Sequence, residues 1–147
     1  MKLYENSLDY KLQVYDIETV KCYFLASFYN PDTEEWKEFE ISEYKNDLYS
    51  LMKFYDTANI DFAIGYNNLG FDAQVLHFIQ LNYETWFDKT GIEITNIIYE
   101  FVQNLIENQK YNNRLPYYES QFEIKQLDCF TILGLNNAAR YTSWTKV

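Results

Sequence analysis

Residues 61–72 read DFAIGYNNLGFD, and this stretch decides the fold. Asp61 to Tyr66 is a short apolar run bounded by asparagine, which reads as a buried strand. Gly65 and Gly70 then permit tight backbone geometry. From Phe71 to Leu81 the apolar residues Phe71, Val75, Phe78 and Ile79 recur on one helical face. A buried strand that runs directly into an amphipathic helix is half of a βαβ unit. It calls for a sheet with helices packed against it.

Upstream, Lys11 to Thr19 reads as a first strand, with Leu12, Val14, Tyr15 and Ile17. Cys22 to Tyr29 (CYFLASFY) reads as a second, and Asn30-Pro31-Asp32 begins a turn. Trp36 to Ile41 alternates apolar and charged residues and reads as a half-buried third strand. Short connections make these three an antiparallel meander. Ser42 is the expected N-cap of a helix, with Glu43 in its first turn. Tyr44, Leu48, Leu51, Met52 and Tyr55 carry that helix to about Tyr55.

Downstream, residues 82–121 are less regular. Ile94 to Ile106 has helical spacing, while Thr90-Gly91 and Tyr111 to Tyr118 read as loops. Phe122 to Leu127 reads as a strand. Phe130 to Tyr141 reads as a last helix, weakened by Gly134 and the Asn136-Asn137 pair. The order is β-β-β-α-β-α-(α)-β-α. It predicts one α/β domain over 1–147, with a mixed sheet made of the meander plus βαβ units.

Composition narrows the function. The 147 residues are 48% hydrophobic and 20% aromatic, which supports a globular core. Net charge is −10, from 12 basic and 22 acidic residues. A general nucleic-acid binder needs lysines and arginines for phosphate, so that class is disfavoured. A metal nuclease is not, because a divalent cation can join an acidic site to a phosphate. Cys22 and Cys129 form no CxxC pattern and read as small core residues of a reducing compartment. No apolar run approaches a membrane span, and residues 1–10 lack a signal peptide's apolar core.

Asp16-Ile17-Glu18 lies at the end of the first strand. Alternate residues share a face, so the two carboxylates stand together. Like charges that close call for a cation, and Mg²⁺ or Mn²⁺ prefers hard oxygen ligands. A solvated strand end is the plain alternative. Asp72 falls at the positive end of the helix after the buried strand, which favours a carboxylate. Simple capping by Asp72 or Asn68 is the alternative there.

Together these segments resemble a known family. Residues 14–19 (VYDIET) are similar to the first motif of the DEDD, or DnaQ-like, 3′→5′ exonucleases, which include polymerase proofreading domains. Residues 65–72 resemble the second motif, in the form seen in family B polymerases and related phage enzymes. There an Asn precedes a Phe-Asp pair, as Asn67 or Asn68 precedes Phe71-Asp72 here. The resemblance covers roughly residues 11 to 140, with 82–121 as a family-variable insertion.

The resemblance implies an RNase H-like fold and catalysis by two divalent cations, Mg²⁺ or Mn²⁺. Asp16 would bridge both metals, Glu18 would bind one and help position the attacking water, and Asp72 would bind the other. The substrate would be a single-stranded DNA 3′ end, with RNA as an open alternative, and the product a nucleoside 5′-monophosphate. Thr19, Asn67, Asn68 and Phe71 would lie against the substrate, Phe71 chiefly by packing beneath the site. Asp128, in Gln126-Leu127-Asp128, would support the site from behind. The phage likeness makes a cytoplasmic protein, phage-encoded and acting in a host cytoplasm, the expectation. His77 does not match the family's catalytic histidine, and Arg140 and Lys146 are candidate phosphate contacts.

The third motif of the family does not match. It supplies a final Asp preceded by Tyr or His, yet residues 129–147 contain no acid. Tyr141 to Thr145 has the tyrosine spacing with Thr in place of Asp. A missing ligand would cost orders of magnitude in rate. A missing helix would leave an apolar sheet face uncovered. Three explanations fit: a piece of a longer exonuclease or polymerase, a protein completed by a partner or second copy, or a shortened relative kept for binding. The competing function is an inactive acidic protein that occupies a basic nucleic-acid groove on another protein, as an inhibitor does.

Overall fold

Alternation builds the sheet. In a computed structural model of the chain, residues 9–111 and 114–134 are described. There β1 (Leu12–Val20) buries Tyr15 and Ile17 and leaves Asp16 and Glu18 in solvent. β2 (Tyr23–Asn30) buries Phe24, Ala26 and Phe28, and β3 (Glu35–Ile41) buries Phe39 and Ile41. The three form the expected antiparallel meander, with Tyr15 opposite Phe28 and Ala26 opposite Phe39. The turn at Asn30 is closed by its own side chain, whose Oδ1 accepts the Asp32 N–H at 2.9 Å.

β4 (Phe62–Gly65) and β5 (Lys125–Asp128) lie on the other side of β1, both parallel to it. The strand order is β3-β2-β1-β4-β5. The fold is α/β, a five-stranded mixed sheet with four helices among the described residues. These are α1 (Leu48–Thr57), α2 (Asp72–Asn82), α3 (Gly91–Tyr111) and α4 (Cys129–Gly134).

α1, α2 and α3 pack on the face that carries Tyr15, Ile17, Phe24 and Phe28. Phe28 is the hub: its ring stacks on Tyr15 at 5.6 Å and meets Phe54 and Tyr55 of α1. Fully burying a side chain of this size contributes about 1.5–3 kcal/mol. The segment expected as a variable insertion carries α3, whose Ile94, Ile98, Val102 and Leu105 enter the same core. The opposite face holds Val14, Val20, Trp36 and Leu127, all exposed among the described residues.

Two expectations are corrected. Ser42 does not cap a helix. Its Oγ accepts the Tyr44 N–H at 3.2 Å in a turn, the Asp47 N–H returns to Glu40 O at 2.8 Å, and the helix begins only at Leu48. Thr90-Gly91 is not a loop but the start of α3. Thr90 Oγ1 accepts the Glu93 N–H, and Glu93 Oε1 accepts the Thr90 N–H, a reciprocal capping box. Gly91 is required there, because a Cβ would lie 2.1 Å from the Ser42 carbonyl oxygen. Shorter 3₁₀ turns occupy Tyr83–Thr85 and Glu119–Gln121. The expected continuation of the last helix to Tyr141, the 141–145 segment, Arg140 and Lys146 lie outside the described residues.

Candidate active site

The chain leaves β1 in one direction for β2 and β3, then returns to its other side for β4 and β5. β4 pairs with β1 only as far as Val14 opposite Ile64. Beyond that point β1 continues without β4 beside it, and its backbone donors on that edge need another partner.

Asp72 supplies one. Its Oδ2 accepts the Ile17 N–H at 2.7 Å. The peptide it holds belongs to the residue between Asp16 and Glu18. Asp16 and Glu18 lie within β1, Asp16 at its midpoint rather than at the expected strand end, and Asp72 reaches the backbone between them. Asp16 and Glu18 stand exposed on the open face, roughly 6–7 Å apart by strand rise. Asp72, the first residue of α2, is 4% exposed. Burial pushes its carboxyl up to about 7, Asp16 and Asp128 add to the rise, and the Ile17 N–H opposes it.

The loop between β4 and α2 is shaped by other carboxylates and amides. Asp128, buried at the end of β5, accepts the Asn67 N–H at 2.8 Å, the Leu69 N–H at 3.0 Å and the Phe130 N–H at 2.9 Å. Asn67 takes the left-handed conformation, φ 56°, and its side chain is exposed. Asn68 is fully buried, and its Nδ2 donates to Gln126 Oε1 at 2.8 Å. The same oxygen accepts the Tyr15 hydroxyl. Asn68 Oδ1 is buried without a partner among the described residues. Gly65 makes room for Asn68, since a Cβ there would lie 3.0 Å from its side chain.

Other expected residues do not join the acids. Thr19 alternates with Glu18 and so takes the helix-covered side of the sheet. Phe71 packs against the core. His77 is half-buried, edge-on to Tyr117 and Phe122, and burial lowers its pKa. Sequence reasoning missed Gln74, Gln109 and Gln126. Gln109 Nε2 donates to Gly70 O at 2.6 Å, and Gln74 Nε2 donates to Leu69 O at 2.9 Å. Gln126 had a readable signal, because an amide at an inward strand position must find a partner. The partners of Gln74 and Gln109 are set by tertiary packing, and nothing local announces them.

Among the described residues no three His, Cys, Asp or Glu side chains are grouped closely enough to hold a metal ion. Asp16 and Glu18 face solvent, whereas Asp72 engages the β1 backbone. The donor set nevertheless fits a hard divalent cation, since all three groups offer oxygen. No described Lys or Arg forms an ion pair with Asp72, whose buried charge is opposed by Asp16. A cation between them would reverse that opposition.

Comparison with protein-family models, with curated proteins and with solved structures gave no match to this chain. No described helix is long and apolar enough to cross a membrane.

Proposed function

We propose that the chain is a metal-dependent 3′→5′ exonuclease domain of the DEDD type, on an RNase H-like sheet, releasing nucleoside 5′-monophosphates from DNA 3′ ends. Three features support this reading. The mixed sheet, an antiparallel meander with two parallel strands beyond β1, is compatible with that reading. Asp16 and Glu18 share the open face of β1, and Asp72 opens the helix that follows β4. Above all, Asp72 closes on the peptide between Asp16 and Glu18, although 55 residues separate it from Ile17. That contact carries the proposal.

Asp16, Glu18 and Asp72 would hold the divalent cations. When bound, such cations acidify a water molecule and neutralise charge at the phosphate. The chain's own contribution is placement. β1 fixes the spacing of Asp16 and Glu18. The Ile17 N–H fixes the Asp72 carboxylate, and the clamp of Asp128 on Asn67 and Leu69 holds the loop that delivers Asp72.

The test is Mn²⁺-dependent release of nucleotides from 3′-labelled single-stranded DNA. Slow release is expected from the wild-type chain, whose third motif is unmatched, and none from Asp16→Ala or Asp72→Ala. Release that survives both substitutions, or none from any form, refutes the assignment. In the second case the high negative charge favours the other reading, an acidic protein that blocks a basic groove. Tight binding to a basic nucleic-acid-binding protein would identify it.

A further inference from the structure

Next to the β4–α2 loop lies a groove of about 610 Å³, walled by Leu69, three residues before Asp72, and by residues between 114 and 122. Its size is in the range of small-ligand sites, about 300–1,000 Å³. Buried hydrogen bonds fix its walls. Gln74, fully buried on α2, donates from Nε2 to Leu69 O at 2.9 Å and to Tyr117 O at 2.8 Å, and its Oε1 accepts the Tyr117 N–H at 3.0 Å. One amide thus ties both walls together and ties them to the helix that begins with Asp72. Rings hold Tyr117 in turn: Phe101 stacks on it at 6.2 Å, and His77 meets it edge-on at 4.6 Å.

On this base the side chains of Arg114, Leu115, Tyr118 and Glu119 are exposed. Tyr118 is 76% exposed, and its N–H is held by Gln121 Oε1 at 2.7 Å. Arg114 is exposed and forms no ion pair among the described residues. Glu119 also lines the groove. In a chain of net charge −10, an arginine without a carboxylate partner beside an exposed aromatic ring offers a place where a polyanion can approach.

We propose that this groove binds single-stranded nucleic acid leading to the acids, with a base stacked on Tyr118 and a backbone phosphate on Arg114. Stacking on aromatic rings tolerates any base, and the guanidinium fork suits phosphate oxygens. The inference rests on the exonuclease reading for its substrate class, but it can be tested without catalysis.

The experiment is fluorescence anisotropy of 5′-fluorescein octathymidylate with the full chain in EDTA, where turnover is blocked. Tyr118→Ala is expected to weaken binding about tenfold, as loss of one stacked base does. Tyr118→Phe is expected to keep it. Arg114→Ala is expected to weaken binding and to flatten the dependence of log K on log salt by about 0.7, the value for one phosphate on a single strand. Both sites are exposed, and circular dichroism checks that the variants remain folded. Unchanged affinity in Tyr118→Ala and Arg114→Ala overturns the proposal. So does displacement of the probe by oligoglutamate of equal charge as readily as by unlabelled oligonucleotide. Binding that follows these substitutions in a protein that releases no nucleotide with Mn²⁺ supports the groove and removes the nuclease reading alone.

Discussion

Asp72→Asn should stabilise the metal-free protein at pH 8. The carboxyl is raised from 3.8 to about 7 in the folded chain, by burial first and by Asp16 and Asp128 after it. The folded state therefore keeps a proton that the unfolded chain loses near 3.8. Wild-type stability should fall as pH rises between those two values and level off outside them. Three powers of ten in acidity, at about 1.4 kcal/mol each, set an upper bound of about 4 kcal/mol on the cost of the ionised side chain. Asparagine keeps an acceptor for the Ile17 N–H and loses a helix-dipole interaction worth about 0.3–1 kcal/mol. A net gain of about 2–3 kcal/mol is expected above pH 7, shrinking toward zero near pH 4. Urea unfolding in EDTA at both pH values measures it. Adding Mn²⁺ should then stabilise wild type and leave Asp72→Asn unchanged, by binding to the folded state alone. A variant less stable than wild type at pH 8, or a difference independent of pH, refutes the reasoning.

Other substitutions probe the scaffold. Asp128→Ala strips the acceptor from the Asn67, Leu69 and Phe130 N–H groups and should cost about 3 kcal/mol in urea unfolding; a loss under 1 kcal/mol would mean the clamp is dispensable. Gly91→Ala drives a Cβ into the Ser42 carbonyl and should cost about 1–3 kcal/mol, seen as a lower thermal midpoint; an unchanged midpoint would mean that α3 shifts without penalty. Thr90→Ala removes the cap of α3 and should cost about 1 kcal/mol, with Thr90→Ser restoring most of it; equal stability of all three forms would deny the capping box a role.

The parts of the fold that declare themselves in sequence are those governed by local periodicity. β1 and β2 alternate, β3 does so at Phe39 and Ile41, and Asn30 closes its turn with its own side chain. Ser42 misleads because a serine before an acidic residue has the same local chemistry in a turn as at a helix start, and only the return of the chain to Glu40 decides between them. The start of α3 was readable, since Thr90 and Glu93 have capping-box spacing. Asp16 and Glu18 were expected at a strand end and lie within β1, but the place of Asp72 at the start of α2 was anticipated. The turn of Asp72 toward the Ile17 peptide was not, because it follows from β4 ending before β1 does. Gln74 carried no local signal at all, since Tyr117 reaches it through packing from 43 residues away.

The direct test of the shared cation is a crystal of the full chain soaked in Mn²⁺ and measured at the manganese edge. Anomalous density within coordination distance of Asp16, Glu18 and Asp72 is the expected result, absent from crystals of Asp16→Ala. Density at other carboxylates, or none beside Asp16 on β1, would contradict the account.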